Sequence, residues 1–167
     1  MSRLLDLLEN QLTVLRRGDP PDYYLLLDMV EYVETFPDVI HHPREDAMFR
    51  VYLESHCAAG DVIHQLMEEH KVLIEESHAV RHLIEQVLHG SVFPRANVEE
   101  SLSRYLVLQR EHLNAEEGRV LNLMDQTLNL IDWERIEQAI PVSTDPLFGG
   151  EVQKRYRSIF DQIMTLS

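Results

Sequence analysis

Apolar residues recur at every third or fourth position along nearly the whole chain, and this spacing strongly limits how it can fold. In the first segment, Leu4, Leu8 and Leu12 fall on one face of a helix. Glycine and proline interrupt the pattern, and no stretch of useful length alternates as a strand would. The pattern predicts helices over about residues 2–17, 21–36, 43–56, 61–88, 97–130, 133–139 and 151–165.

Long amphipathic helices joined by short breaks are typical of an antiparallel bundle. We therefore expect an all-α protein with an up-and-down antiparallel four-helix bundle over residues 1–140. Residues 141–167 are expected to add a turn and a short extra C-terminal helix packed on the bundle.

Charge and cysteine content exclude several classes of function. Lys and Arg number 15 against 29 Asp and Glu, so the formal net charge is −14. Nucleic acids and anionic membrane surfaces both require clustered basic residues, so neither partner is expected. No apolar run approaches the roughly 20 residues of a membrane span. The one cysteine, Cys57, excludes an intrachain disulfide and is typical of a cytoplasmic protein.

Nine histidines in so acidic a chain raise the question of metal binding. His41 is followed four residues later by Glu45, and His112 by Glu116. Residues four apart share one face of a helix, so each pair can aim two donor atoms at one point. Both pairs lie on mostly apolar faces, where an unpartnered polar pair is costly. His70 lies on the apolar face of the helix between them, so three helices each send a histidine inwards.

Two alternatives stay open at this point. A histidine on an apolar face is more often a hydrogen-bonded core residue than a ligand, and a single His-x-x-x-Glu pair often arises by chance. The neighbouring register, His42 with Asp46, has the same spacing. We choose His41 with Glu45, because Asp46 lies about 100° around the helix from Glu45 and off its apolar line.

Mixed imidazole and carboxylate donors suit iron, manganese or zinc rather than calcium or magnesium. Histidine ligands must be neutral, so their reference pKa of about 6.5 predicts metal loss as the pH falls through about 6 to 5. His78 and His82 form a further pair at the edge of the apolar stripe. We interpret that pair as a solvated flank, with a surface metal site as the alternative.

Three segments carry a resemblance to a known family: His41-His42-Pro43-Arg44-Glu45-Asp46-Ala47-Met48-Phe49, Glu69-His70 and His112-Leu113-Asn114-Ala115-Glu116-Glu117. In their order and separation they resemble the hemerythrin-like, or HHE cation-binding, family, and the tail around Asp145-Pro146-Leu147-Phe148-Gly149 looks like its bacterial members. The resemblance implies a four-helix bundle with a non-haem di-iron centre. It implies as metal ligands His41, Glu45, His70, His112 and Glu116, with the two glutamates bridging.

The chain departs from the family pattern in two places. The family's first helix normally carries a ligand histidine near its beginning, but the first helix of this chain has none. We expect either a ligand position upstream of Met1 or a site that lacks one ligand. Many members also place a second histidine four residues after the one that matches His70, where this chain has Ile74. His42 could supply a sixth ligand, and a labile, mononuclear or metal-free site stays open.

The resemblance implies three candidate functions. The first is a di-iron protein that binds or senses dioxygen, nitric oxide or iron. The second is an enzyme, either an iron-centre repair factor or an oxidase. The third is a bundle with a degenerate metal site that acts as an interaction module. The sequence favours binding over catalysis without deciding between them, and it leaves the metal's identity and the oligomeric state open.

Overall fold

The computed structural model describes residues 1–56, 58–139 and 143–166. Within these ranges all regular structure is helical and there is no strand, which confirms the all-α prediction. The α-helices are α1 (Ser2–Arg16), α2 (Tyr23–Thr35), α3 (His42–Ser55), α4 (Gly60–Leu88), α5 (Arg95–Ala115), α6 (Leu121–Thr127), α7 (Leu130–Ala139) and α8 (Arg157–Thr165). None of the helices in the described ranges has both the length and the apolar character needed to cross a bilayer.

Local sequence signals account for several helix ends. Asp22 caps α2, because its carboxylate accepts a hydrogen bond of 3.0 Å from the backbone N–H of Leu25. Gly18 and Gly90 follow α1 and α4 with φ angles of +97° and +89°, which glycine adopts more easily than other residues. The chain can therefore turn sharply after both helices.

Helices α1 and α5 pack in antiparallel orientation. Arg16, near the end of α1, hydrogen-bonds at 3.0 Å to Glu99, near the start of α5. Arg110, near the end of α5, bonds at 2.8 Å to Asp6, near the start of α1. Further packing of α5 on α4, α4 on α2 and α2 on α1 closes a ring of four helices. The described residues also form more helices than the predicted four plus one, and the up-and-down four-helix topology stays a prediction.

Two apolar clusters form the core. The larger cluster joins α1, α2, the second half of α4, the first half of α5, and α8. The smaller joins α3, the start of α4, and the segments after α5, where Phe49, Tyr52 and Val120 are fully buried. Between the two clusters each of three helical segments carries buried polar residues. The fold therefore places a polar layer between two apolar ones.

Two π-helical turns stand where the sequence predicted other structure. Pro37–His41 connects α2 to α3 without the predicted break, and Glu116–Val120 interrupts the predicted helix over residues 97–130. Pro43 has no N–H, so one regular α-helical hydrogen bond is missing where the turn joins α3. Instead, His41 donates from its backbone N–H to the carbonyl of Phe36, five residues earlier, at 3.1 Å. Such turns are common at functional sites.

The C-terminal segment packs on the bundle. Helix α8 contacts α1 and α2 and buries Ile159 and Ile163. Tyr32 donates a hydrogen bond of 2.9 Å to Asp145. The predicted boundary between residues 140 and 141 lies outside the described residues, as does Cys57, and the division into two parts stays a prediction.

Candidate metal centre

Six donor residues meet in the polar layer between the two apolar clusters. The junction of the first π-helical turn and α3 supplies His41 and His42, and α3 adds Glu45. Helix α4 supplies His70. The remaining two, His112 and Glu116, lie at the end of α5 and the start of the second π-helical turn.

The first donor set is a group of three buried histidines. One ring nitrogen from each of His42, His70 and His112 lies within 4.8 Å of the others. The rings of His42 and His70 stack with centroids 4.4 Å apart, and those of His70 and His112 cross at 4.7 Å. This spacing suits three imidazoles that share one metal ion.

A carboxylate stands behind each of these histidines. The Nδ1–H of His70 donates to Asp46 at 2.8 Å, and that of His112 donates to Glu69 at 3.0 Å. A hydrogen bond at Nδ1 holds the ring in the tautomer whose Nε2 lone pair is free. The Nδ1 of His42 lies 3.4 Å from Asp38, a close approach without a hydrogen bond. The carboxylates therefore orient at least two of the three rings for metal binding.

The second donor set consists of His41, Glu45 and Glu116, whose donor atoms also lie within 4.8 Å of one another. The Nε2 of His41 is 2.9 Å from Oε1 of Glu45. Both glutamates are buried, but the His41 side chain is 50% exposed. This set is therefore open towards solvent on one side, whereas all three members of the first set are buried.

Glu45 lies between the two sets. One of its oxygens faces His41, and the other, Oε2, is 3.8 Å from Nε2 of His70. A carboxylate oxygen of Glu45 also lies within 4.8 Å of one from Glu116. A carboxylate in this position can bridge two metal ions, one in each set.

Four buried donor atoms of the centre have no hydrogen-bond partner among the described residues: Nε2 of His70, Nε2 of His112, Oε2 of Glu45 and Oε1 of Glu116. Buried polar atoms are almost always paired, because an unpaired one costs free energy. These four converge on one region, and all are atom types that coordinate transition metals. The donor set therefore fits a metal centre.

The surroundings of His41, His70 and His112 favour the neutral form of each ring. Burial, followed by the charges of the neighbouring histidines, lowers the pKa of His70 to about 2. Burial also lowers the pKa of His112 and of His41. Neutral imidazole is the form that binds metal, so these rings need not lose a proton to do so near neutral pH.

The two glutamates are shifted in the opposite sense. Burial raises the pKa of Glu45 to about 7 and the pKa of Glu116 to about 8. Repulsion from a neighbouring carboxylate adds to each rise: Asp46 acts on Glu45, and Glu45 acts on Glu116. In the metal-free protein the pair therefore holds a proton near neutral pH, and a cation between them would replace it.

The structure brings together all five residues that the sequence singled out, although their role as ligands stays a prediction. It adds His42 as a full member of the first set, so both neighbouring histidines face the centre. Asp46 lies behind His70 rather than among the donors. The spacing of Asp38 four residues before His42 could have revealed one supporting carboxylate from the sequence. Nothing in the local pattern pointed to Glu69, because its partner lies on another helix.

The exposed histidines of α4 take no part in the centre. His78 lies 3.8 Å from Glu34, and His82 bonds to Gln86 at 3.0 Å. Within the described ranges, neither belongs to a group whose donor atoms could share a metal ion. This arrangement favours the interpretation of the pair as a solvated flank.

The described structure is all-helical, and its clustered histidines and glutamates form a candidate site for two metal ions. The family model described as hemerythrin HHE cation binding domain matches residues 1–124, about three quarters of the chain. The chain therefore belongs to the hemerythrin HHE cation-binding family. Comparison with curated proteins and with solved structures finds no match.

Proposed function

We propose that this protein holds a non-haem di-iron centre and binds a small diatomic molecule, dioxygen or nitric oxide, as a carrier or sensor. The observation that carries the proposal is the pair of adjacent donor sets with Glu45 between them. One set offers three imidazoles, and the other offers one imidazole and two carboxylates. Iron accepts such mixed donors, and family membership supports a cation as the ligand.

The two metal positions have different roles in this proposal. The position among His42, His70 and His112 is enclosed, and the carboxylates behind the rings hold it rigid. The position at His41 faces outwards, so an incoming molecule reaches it first. When bound, iron supplies reversible electron donation to the diatomic molecule. The protein contributes the neutral imidazoles, the two glutamate carboxylates and the partial exclusion of water.

Metal analysis tests the first part of the proposal. Protein purified without air and loaded with ferrous iron should contain two iron atoms per chain. His70→Ala should lower that number, because its ring lies at the centre of the first set. His64→Ala is the matched control, since His64 is an exposed histidine of the same helix. Wild-type protein that retains no iron, or equal loss in both variants, contradicts the proposal.

Optical spectroscopy tests the second part. Dioxygen or nitric oxide added to the iron-loaded protein should give a new visible absorption band that disappears when the gas is removed. Turnover of nitric oxide or peroxide at a sustained rate would instead favour the enzyme. Iron binding without any response to either gas would leave a metal protein that does not bind diatomic molecules.

A further inference from the structure

A cavity of about 760 Å³ lies between α3 and α7, next to the open donor set. On one side His41, Arg44, Glu45 and Met48 line it, and on the other Trp133, Ile136 and Glu137. His41 and Glu45 thus belong both to the candidate metal centre and to the cavity wall. Helix α7 lies beyond residue 124, where the family match ends, so one wall comes from a part of the chain outside that match.

The cavity is far larger than a diatomic molecule requires. A water molecule occupies about 30 Å³ of liquid volume, and a diatomic gas is of similar size. Cavities of about 300–1,000 Å³ are typical of sites for organic molecules. Its size therefore leaves room for a ligand with a carbon skeleton.

The walls of the cavity indicate the chemistry of that ligand. Met48, Trp133 and Ile136 offer apolar surface. Arg44 is half-buried, and no carboxylate among the described residues lies within 4.0 Å of its guanidinium, whereas Arg135 on α7 pairs with Glu54. A half-buried guanidinium without an ion-pair partner suits a carboxylate, which it can bind through two parallel hydrogen bonds. Glu45 and Glu137 also line the cavity, and Arg44 is the one Lys or Arg among its lining residues, so the ligand's negative charge belongs at Arg44.

We propose that this cavity binds a small organic anion, a carboxylate with a short apolar body, with its charged end at Arg44 and its body against Trp133 and Met48. The inference rests on the proposed function only in placing this ligand beside the open metal position. There the ligand would control which small molecules reach the metal.

The chain itself supplies the probe, because Trp133 is its one tryptophan. Hexanoate should change the tryptophan fluorescence of the metal-free and the iron-loaded protein in a saturable way, with a Kd of about 1 mM or below. Hexanamide, which has the same carbon chain and no charge, should bind at least about tenfold more weakly. Absence of a saturable change with hexanoate, or equal binding of the two compounds, overturns the proposal.

Variants test the role of Arg44. Arg44→Gln should weaken hexanoate binding about tenfold, and Arg44→Lys should restore part of it. Arg104→Gln is the matched control, because Arg104 is an exposed arginine of α5 that does not line the cavity. Circular dichroism shows whether each variant folds. Equal affinity in Arg44→Gln and Arg104→Gln contradicts the assignment of the charged end.

Metal content measured on the same samples separates this proposal from the proposed function. Iron binding without hexanoate binding overturns the cavity ligand and leaves the metal centre standing. Hexanoate binding without iron binding supports the cavity ligand and overturns the metal centre.

Discussion

Glu45 and Glu116 are the residues on which the electrostatics of the centre depend. They are buried, they lie close together in the second donor set, and burial raises the pKa of each carboxyl. A buried pair of acids is unfavourable in the metal-free protein when both are ionised. The same pair is favourable when a cation lies between them. Metal binding and folding stability are therefore linked through these two side chains.

Metal-free protein should become less stable as the pH rises from about 6.5 to 8. In that window the folded glutamates, with pKa values of about 7 and 8, still bind protons that the unfolded chain has released. Because the folded state binds more protons, the free energy of unfolding falls with pH. The lowered histidine pKa values matter only below about pH 6.5. There the unfolded chain binds more protons than the folded one, so the free energy of unfolding rises with pH.

Urea denaturation between pH 6.5 and 8 with a chelator present measures this slope. The expected decrease is up to about 1.4 kcal/mol per pH unit for each proton difference. The double variant Glu45→Gln/Glu116→Gln keeps the shape and loses the titration, so its slope should be clearly smaller. An equal slope in both proteins would mean that general repulsion among the acidic groups, and not this pair, is responsible.

His41 and His42 are neighbours in sequence but belong to different donor sets. His42→Ala should remove one iron per chain by opening the enclosed set, and His41→Ala should spare that set and weaken the outer one. Iron per chain after dialysis against a weak chelator distinguishes the two variants. If His42→Ala keeps two irons while His41→Ala loses both, then the division into two sets is wrong.

At the scale of elements, the two described π-helical turns coincide with candidate ligands. Each occurs at a candidate ligand: the first ends at His41, and the second begins at Glu116. In a regular α-helix neighbouring residues point about 100° apart. His41 ends the first turn and His42 begins α3, and their ring centroids lie 5.9 Å apart.

Helix α1 contributes apolar packing, with none of its residues among the donor groups of the described structure. Leu12 is 1% exposed within the larger apolar cluster. Leu12→Ala should therefore lower the free energy of unfolding by about 2–5 kcal/mol. Iron per folded chain should stay unchanged, because Leu12 belongs to neither donor set.

Chemical denaturation and metal analysis of the same preparation check both parts of this expectation. Val92→Ala is the control, since Val92 is 96% exposed and its truncation should change stability by less than about 0.5 kcal/mol. Loss of iron from correctly folded Leu12→Ala protein would show that α1 supports the centre more directly than its packing indicates.

At the scale of the whole molecule, the net charge of −14 adds general repulsion at neutral pH, which salt screens. A bound cation stabilises the fold against this background. Ligand present at 100 times its Kd stabilises by about 2.7 kcal/mol. For a chain of this size, that corresponds to a rise in Tm of about 5 to 11 °C.

Ferrous iron should raise the Tm, and the rise should grow as the pH increases from about 6 to 8. The protons that iron must displace are those of Glu45 and Glu116, whose pKa values are raised into this range. Melting curves without air at pH 5 to 8, with iron or with chelator, measure the difference. A stabilisation that is constant above pH 6 and disappears only between pH 6 and 5 would identify histidines as the competing groups. If iron gives no stabilisation at any pH from 5 to 8, the proposed metal centre is contradicted and only the helical fold stands.

The sequence by itself predicted the all-helical class and five of the six donor residues that the structure brings together. The helical period reports local burial, and His-x-x-x-Glu spacing places both donors on one face whatever the helix packs against. Two other features came only from the tertiary structure. His42 stacks on His70 while His41 lies at the open side, and this placement depends on how α3 packs against α4, which single-residue spacing cannot show.

Tertiary structure also decided which groups hold protons. Reference pKa values predicted that histidines would compete with the metal at pH 6 to 5. Burial lowers the pKa of His70 and raises those of Glu45 and Glu116, so the competition moves to the carboxyls and to higher pH. Burial depends on which helices cover a side chain, and those helices are distant in sequence. Spacing along one helix could therefore identify the donors but not their protonation.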